Sequence, residues 1–184
     1  MIIELAEKVR EALIGIIKTT GRLTEEAITV IKNTVVNTLQ GVHDIGAKSF
    51  EIATDAIKGG VKGLSEVGVT LIETARNLVK GVVEGVVGAG GDIAGTAKGA
   101  VEASVKGAAE LGEDVAGVAV KAVQGAIDGV KTVGGDVAST TKEAVLGAVK
   151  AAEEISTETA SAVKDALKGA IKGAKEIIEA PFKK

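Results

Sequence analysis

Apolar residues recur along this chain at spacings of three and four, and the whole pattern repeats every 22 residues. The segments opening at Asp92, Asp114 and Asp136 set the ruler. Extended both ways, it gives eight units starting at Glu4, Glu26, Lys48, Thr70, Asp92, Asp114, Asp136 and Glu158 with no insertion or deletion, then a terminating tail over 180–184. The apolar columns fall at unit positions 3, 6, 10, 14, 17 and 21. That is a helical period, and strand alternation is excluded. Position 14 holds only branched aliphatics, Ile17, Leu39, Val61, Val83, Val105, Ile127, Val149 and Ile171. Position 10 runs from Leu13 and Val35 to Val145 and Leu167 in the same way. Small residues dominate two further columns: position 16 includes Gly41, Gly63, Gly85, Gly107, Gly129 and Gly173, and position 12 includes Gly81, Gly125, Gly147 and Gly169.

On a helical wheel the charged columns take roughly a third of the circumference, while a helix resting on one core needs an apolar stripe of about 100°. The arc of aliphatic and small residues here is nearly twice that, which predicts helices touching two neighbours each. Pairs such as Gly81/Gly85, Gly125/Gly129 and Gly169/Gly173 have the small-xxx-small spacing that lets backbones approach closely. Each helical Gly costs about 1 kcal/mol relative to Ala. Tight packing must offset that, or the chain is helical only when bound.

The joints carry their own signals. Gly46, Gly68, Gly90, Gly112 and Gly134 stand at position 21, with Thr70, Asp92, Asp114 and Asp136 at position 1 of the next unit. Gly just past a helix followed by a capping residue reads as helix–turn–helix. Thr70 with Glu73 reads as a capping box. Gly90-Gly91 and Gly134-Gly135 are the strongest breaks and predict hairpins, while the weaker joints leave a continuous rod open. Twenty-two residues are two elevens, so a continuous helix would drift right-handed. Separate helices of about 18–20 residues would be roughly 27–30 Å long. The predicted fold is all-α: one helical repeat domain over 1–184.

Composition sharpens this picture. The chain has 25 Gly, one Pro, two Phe and neither Tyr nor Trp, so its core lacks the rings that usually fill irregular space. Net charge is −3, acids and bases are interspersed, and no basic stripe is present, which argues against nucleic acid. The absence of Cys removes thiolate chemistry. Glu4, Glu7 and Glu11 do not suit a signal peptide, and the uncharged runs are shorter than the roughly 18 residues of a membrane span. Localisation is cytoplasmic by default.

The stretch from Gly134 and Gly135 through Lys142 and Glu143 to Glu153 and Glu154 resembles the eleven-residue repeats of synucleins, perilipins and late-embryogenesis-abundant proteins in its Lys-Glu placement and its Val/Ala/Gly/Thr vocabulary. The resemblance covers most of the chain. It implies amphipathic helices that bind lipid surfaces or protect cells during drying.

Candidate chemistry is sparse. His43 is the only histidine and reads as a solvated surface residue. No acidic cluster has the spacing of a calcium loop. Gly88, Gly90 and Gly91 form a superficially phosphate-loop-like run that lacks the Gly-Lys-Ser/Thr ending, so a helix–helix turn is expected there. Glu25-Glu26 and Glu153-Glu154 read as exposed helix charges. The sequence thus predicts no enzyme, no cofactor, no metal and no small-molecule substrate. It favours a structural protein that self-associates through its Gly/Ala/Val faces into an array, ring, filament or sheath. The first unit, rich in Leu13, Ile14, Ile16 and Ile17, reads as a cap. The alternatives are coating of a lipid or membrane surface and desiccation protection.

Overall fold

Every joint of the repeat interrupts the helix. The computed structural model describes residues 2–180. They form α1 (Ile2–Thr20), α2 (Glu25–Leu39), α3 (Ser49–Glu66), α4 (Leu71–Gly88), α5 (Ile93–Glu110), α6 (Val115–Thr132), α7 (Val137–Ile155), α8 (Thr157–Ala170) and α9 (Ala174–Glu179), with no strand among the described residues. Of the expected tail, 181–184 lie outside them.

Hairpins are not confined to the Gly-Gly sites. Gly68, Gly90, Gly112 and Gly134 all have left-handed φ, from +69° to +104°. After each of them, the N–H of Val69, Gly91, Glu113 or Gly135 donates to the carbonyl five residues back, at 2.8–3.0 Å. This is one Schellman turn used four times, closing α3, α4, α5 and α6. The residue after the left-handed glycine need not be Gly, since Val69 and Glu113 serve there. Gly91 and Gly135 are small for a different reason: a Cβ would come within 2.5 Å of Val86 Cγ1 and 2.6 Å of Ile93 Cδ1 respectively.

Helix starts follow the ruler in the middle of the chain and slip at its ends. The Asp92, Asp114 and Asp136 carboxylates accept from the N–H groups of Gly95, Gly117 and Ser139 at 2.8, 3.1 and 3.2 Å. For α8 the N-cap is Ser156, accepting from Thr159 N–H at 3.0 Å, two residues ahead of the unit start at Glu158. The capping box expected at Thr70 and Glu73 does not form, because Thr70 makes no side-chain cap bond. Glu113, in the α5–α6 turn, does that work from a distance. Its carboxylate accepts from Leu71 N–H at 2.8 Å and from Ile72 N–H at 3.4 Å. Likewise Ser49 Oγ, at the start of α3, accepts from Asp92 N–H at 2.7 Å.

The helices form two rows. In one, α1, α3, α5 and α7 pack side by side; in the other, α2, α4, α6 and α8 do, and consecutive helices other than α2 and α3 pack across the rows. Short α9 lies on α7 and α8. An inner helix such as α5 is therefore held by α3 and α7 beside it and by α4 and α6 across from it. The expectation of two neighbours per helix was too small, and the wide apolar arc has this larger enclosure as its cause. The result is a two-layer helical solenoid, in which each unit buries its apolar surface only by stacking. Position 10 is its axis: Leu13, Val35, Ile57, Val79, Val101, Val123, Val145 and Leu167 are all fully buried. Each such side chain contributes about 1.5–3 kcal/mol of burial.

One joint differs. The α2–α3 connection, 40–48, is longer than the others and holds Asp44 at φ 60° and Gly41 at φ 79°. The row neighbours α3 with α5, α4 with α6 and α5 with α7, none of which straddles this joint, keep a register of 49 residues, with Phe50 opposite Gly99, Arg76 opposite Gly125 and Lys98 opposite Gly147. Pairs that straddle it keep 53, with Ala6 opposite Gly59 and Ile28 opposite Gly81. The difference is about one helical turn. The ruler passes through without changing length, yet the first two helices are set one turn apart from the rest.

Candidate functional site: the glycine packing interface and its grooves

The glycine columns lie where helices of one row meet. A Cβ on Gly59 would strike the backbone of Ala6, one on Gly99 the Phe50 carbonyl, and one on Gly125 the Arg76 carbonyl. For Gly63 the obstacle is the Arg10 carbonyl oxygen at 2.9 Å, and for Gly147 the Lys98 carbonyl oxygen at 3.2 Å. Side chains also seat on them. Gly81 receives Ile31 Cγ2 at 2.9 Å, Gly85 receives Val35 Cβ at 2.7 Å, Gly107 receives Val61 Cγ1 at 3.2 Å and Gly129 receives Val83 Cβ at 3.0 Å. The position-14 residues Val61 and Val83 thus fill the position-16 glycines two units on, Gly107 and Gly129, whereas Gly85 is filled by the position-10 residue Val35. In the position-14 column Val83 and Val105 are fully buried, Val61 and Ile171 nearly so, and Ile127 and Val149 half-buried.

Four column members depart from this arrangement, the first being Gly15 of α1, which has nothing within 4 Å. Gly41 has left-handed φ at the end of α2 and faces open space. Gly169, in α8, has nothing within 4 Å. Gly173 is left-handed at φ 86°, between α8 and α9, and is equally free. The column identity of these last three is unchanged, but α2 ends before Gly41 and α8 before Gly173, so no partner backbone lies alongside.

Ion pairs bridge the same in-row contacts on the outside. Arg10 Nε meets Glu66 at 3.0 Å, Arg76 Nε meets Asp128 at 2.7 Å and Lys106 Nζ meets Glu154 at 2.8 Å. The hydrogen bond to Asp128 holds Arg76 above its ordinary value, and the one to Glu66 does the same for Arg10. Lys106 and Glu154 shift apart for the same reason, the amine up and the carboxyl down. Burial pushes the Asp55 carboxyl up, opposed in part by Lys58. Buried Glu102 lies 3.6 Å from Lys150 Nζ, and one of its oxygens lacks a hydrogen-bond partner.

Between helices lie open grooves. One, of about 820 Å³, sits among α6, α7 and the α8–α9 turn. Another of about 690 Å³ runs between α3 and α5, with half-exposed Phe50 and Leu111 among its walls. Of the residues weighed for chemistry, His43 is exposed in the α2–α3 connection, Gly88 to Gly91 end α4 and form its turn, and Glu25, Glu26, Glu153 and Glu154 are exposed on helices. Among the described residues no group of His, Cys, Asp and Glu is placed to hold a metal, and no helix is long and apolar enough to cross a membrane. Sequence reasoning missed Glu113 and Ser49 as caps for distant helices. It also missed Gly99, which lies outside both glycine columns; its signal would have been the 49-residue distance to Phe50, visible only once rows are known.

No protein-family model matches the chain, and no curated protein matches it. Among solved structures it is similar to the de novo designed helical repeat protein DHR7, with a TM-score of 0.56 and 22% identity over 94% of this chain and 95% of that one. The likeness shows the fold: a helical repeat.

Proposed function

We propose that this chain is a non-catalytic structural array whose Gly, Ala and Val faces are consumed by packing within a single copy. The observation that carries this is the seating of Gly59, Gly81, Gly99, Gly125 and Gly147 on backbones or side chains of the same chain. Faces already filled in this way leave little apolar area for a filament or a bilayer. The terminal helices support the same reading: α1 turns Glu4, Glu7, Lys8 and Glu11 outward, and α8 turns Ser161 and Asp165 outward. Polar outer faces on end units are what an isolated repeat array requires.

Molecular mass and helicity in dilute buffer test it together. The expected result is a helical protein of one-chain mass, 18.4 kDa, unchanged over a hundredfold concentration range and on adding anionic vesicles. A mass that grows with concentration would favour the self-assembling reading instead. Helicity that appears only with vesicles would favour the lipid-coating one.

A further inference from the structure

The 49-residue register that governs α4 with α6 and α5 with α7, carried one step on, sets Gly169 over Val120 and Gly173 over Gln124 of α6. The chain does not do this. Gly169 has nothing within 4 Å, α8 stops at Ala170, and Gly173 turns the chain toward α9. Where the rest of an eighth helix would have lain is the cavity of about 820 Å³. Its volume is within the roughly 300–1,000 Å³ of small-molecule sites.

The lining has two chemistries. Ile127, Val137, Ile171 and Ile177 supply an apolar wall. Lys131, Lys142 and Lys172 stand around it, exposed, and in no ion pair among the described residues. Arg76 and Asp128 also line the cavity but answer each other at 2.7 Å. Three uncommitted cations thus gather at one apolar hollow in a chain whose net charge is −3. The Gln124 amide also borders it, with its oxygen buried and lacking a hydrogen-bond partner.

From this geometry we propose that the α6–α7–α8 cavity is a binding site for a single-chain anionic amphiphile, an alkyl carboxylate. The hydrocarbon lies on the isoleucine and valine wall, and the head group meets the lysines. This goes beyond the structural reading above and does not depend on it.

Calorimetric titration of decanoate, below its micelle concentration, into the full chain tests the site. Saturable one-site binding is expected, about tenfold weaker in K131Q/K172Q, the loss anticipated for two exposed charge contacts. Ala138→Trp, at an exposed cavity-lining position, should abolish binding by occupying the space. Circular dichroism confirms that both variants fold, and if the Trp variant does not, the lysine variant decides. Butyrate and decyltrimethylammonium should not bind at the same concentrations, and phosphatidylserine vesicles should not capture the protein. The proposal is overturned by absence of saturable binding, by a folded variant binding like the parent, by equal binding of the cationic amphiphile, or by capture on vesicles.

Discussion

Two helix-interior glycines with opposite surroundings separate packing from propensity. Gly125 lies on the Arg76 carbonyl, while Gly15 of α1 has nothing within 4 Å. We expect Gly125→Ala to cost about 1–3 kcal/mol through overpacking against a backbone that cannot yield. Gly15→Ala should instead stabilise by up to about 1 kcal/mol. Urea denaturation of the two variants measures both signs. Asp55 gives a pH-dependent case. Burial raises its folded value above the unfolded one, so holding it ionised costs the fold at neutral pH and costs nothing once both states are protonated. Asp55→Asn should therefore raise Tm at pH 7, with the gain fading as pH falls through the carboxylate range; a gain that is constant with pH would contradict this. At this scale the sequence was informative about which columns must be small. It could not distinguish Gly125 from Gly169, because both satisfy the same column and only the early end of α8, at Ala170, sets Gly169 apart.

At the scale of the element, the turn at Gly112 combines two independent devices. Its φ of +69° is accessible to Gly, and a Cβ there would meet nothing. Gly112→Ala should thus cost about 1–2 kcal/mol from backbone conformation alone. The next residue, Glu113, caps α4 at 2.8 Å from Leu71 N–H. Loss of that cap in Glu113→Ala should cost about 1 kcal/mol and speed hydrogen exchange at Leu71 and Ile72, while the Asp114 cap of α6 keeps its protection. Exchange that rose equally at both helix starts would mean general loosening rather than loss of a cap. The local signals were legible here: Asp92, Asp114 and Asp136 cap the helices they precede. Caps supplied across 42 or 43 residues, by Glu113 and Ser49, leave no local trace, and Thr70 looked self-sufficient for that reason.

The whole molecule is governed by parity, because odd and even helices belong to different rows. Removing 92–135 deletes one helix from each row and returns Asp136 to a Schellman turn, now at Gly90. We expect that variant to unfold cooperatively, with a lower denaturant midpoint. Removing 92–113 alone sends every later helix to the opposite row and sets α7 and α9 against partners built for others, so cooperativity should be lost. Equal behaviour of the two deletions in a chemical melt would count against the two-row arrangement. The ruler of 22 revealed the number of units but not the alternation, since neighbouring units use the same columns whichever row they join. The wide apolar arc was the one visible symptom.

The one-turn offset at the α2–α3 connection has an evolutionary and engineering consequence. The modules α3 to α7 downstream of it share a common thread and are interchangeable parts; modules upstream are cut to a different phase. Recombination or transplantation should be tolerated among α3 to α7, whereas moving α1 or α2 past that seam would present side chains where their hosts expect hollows.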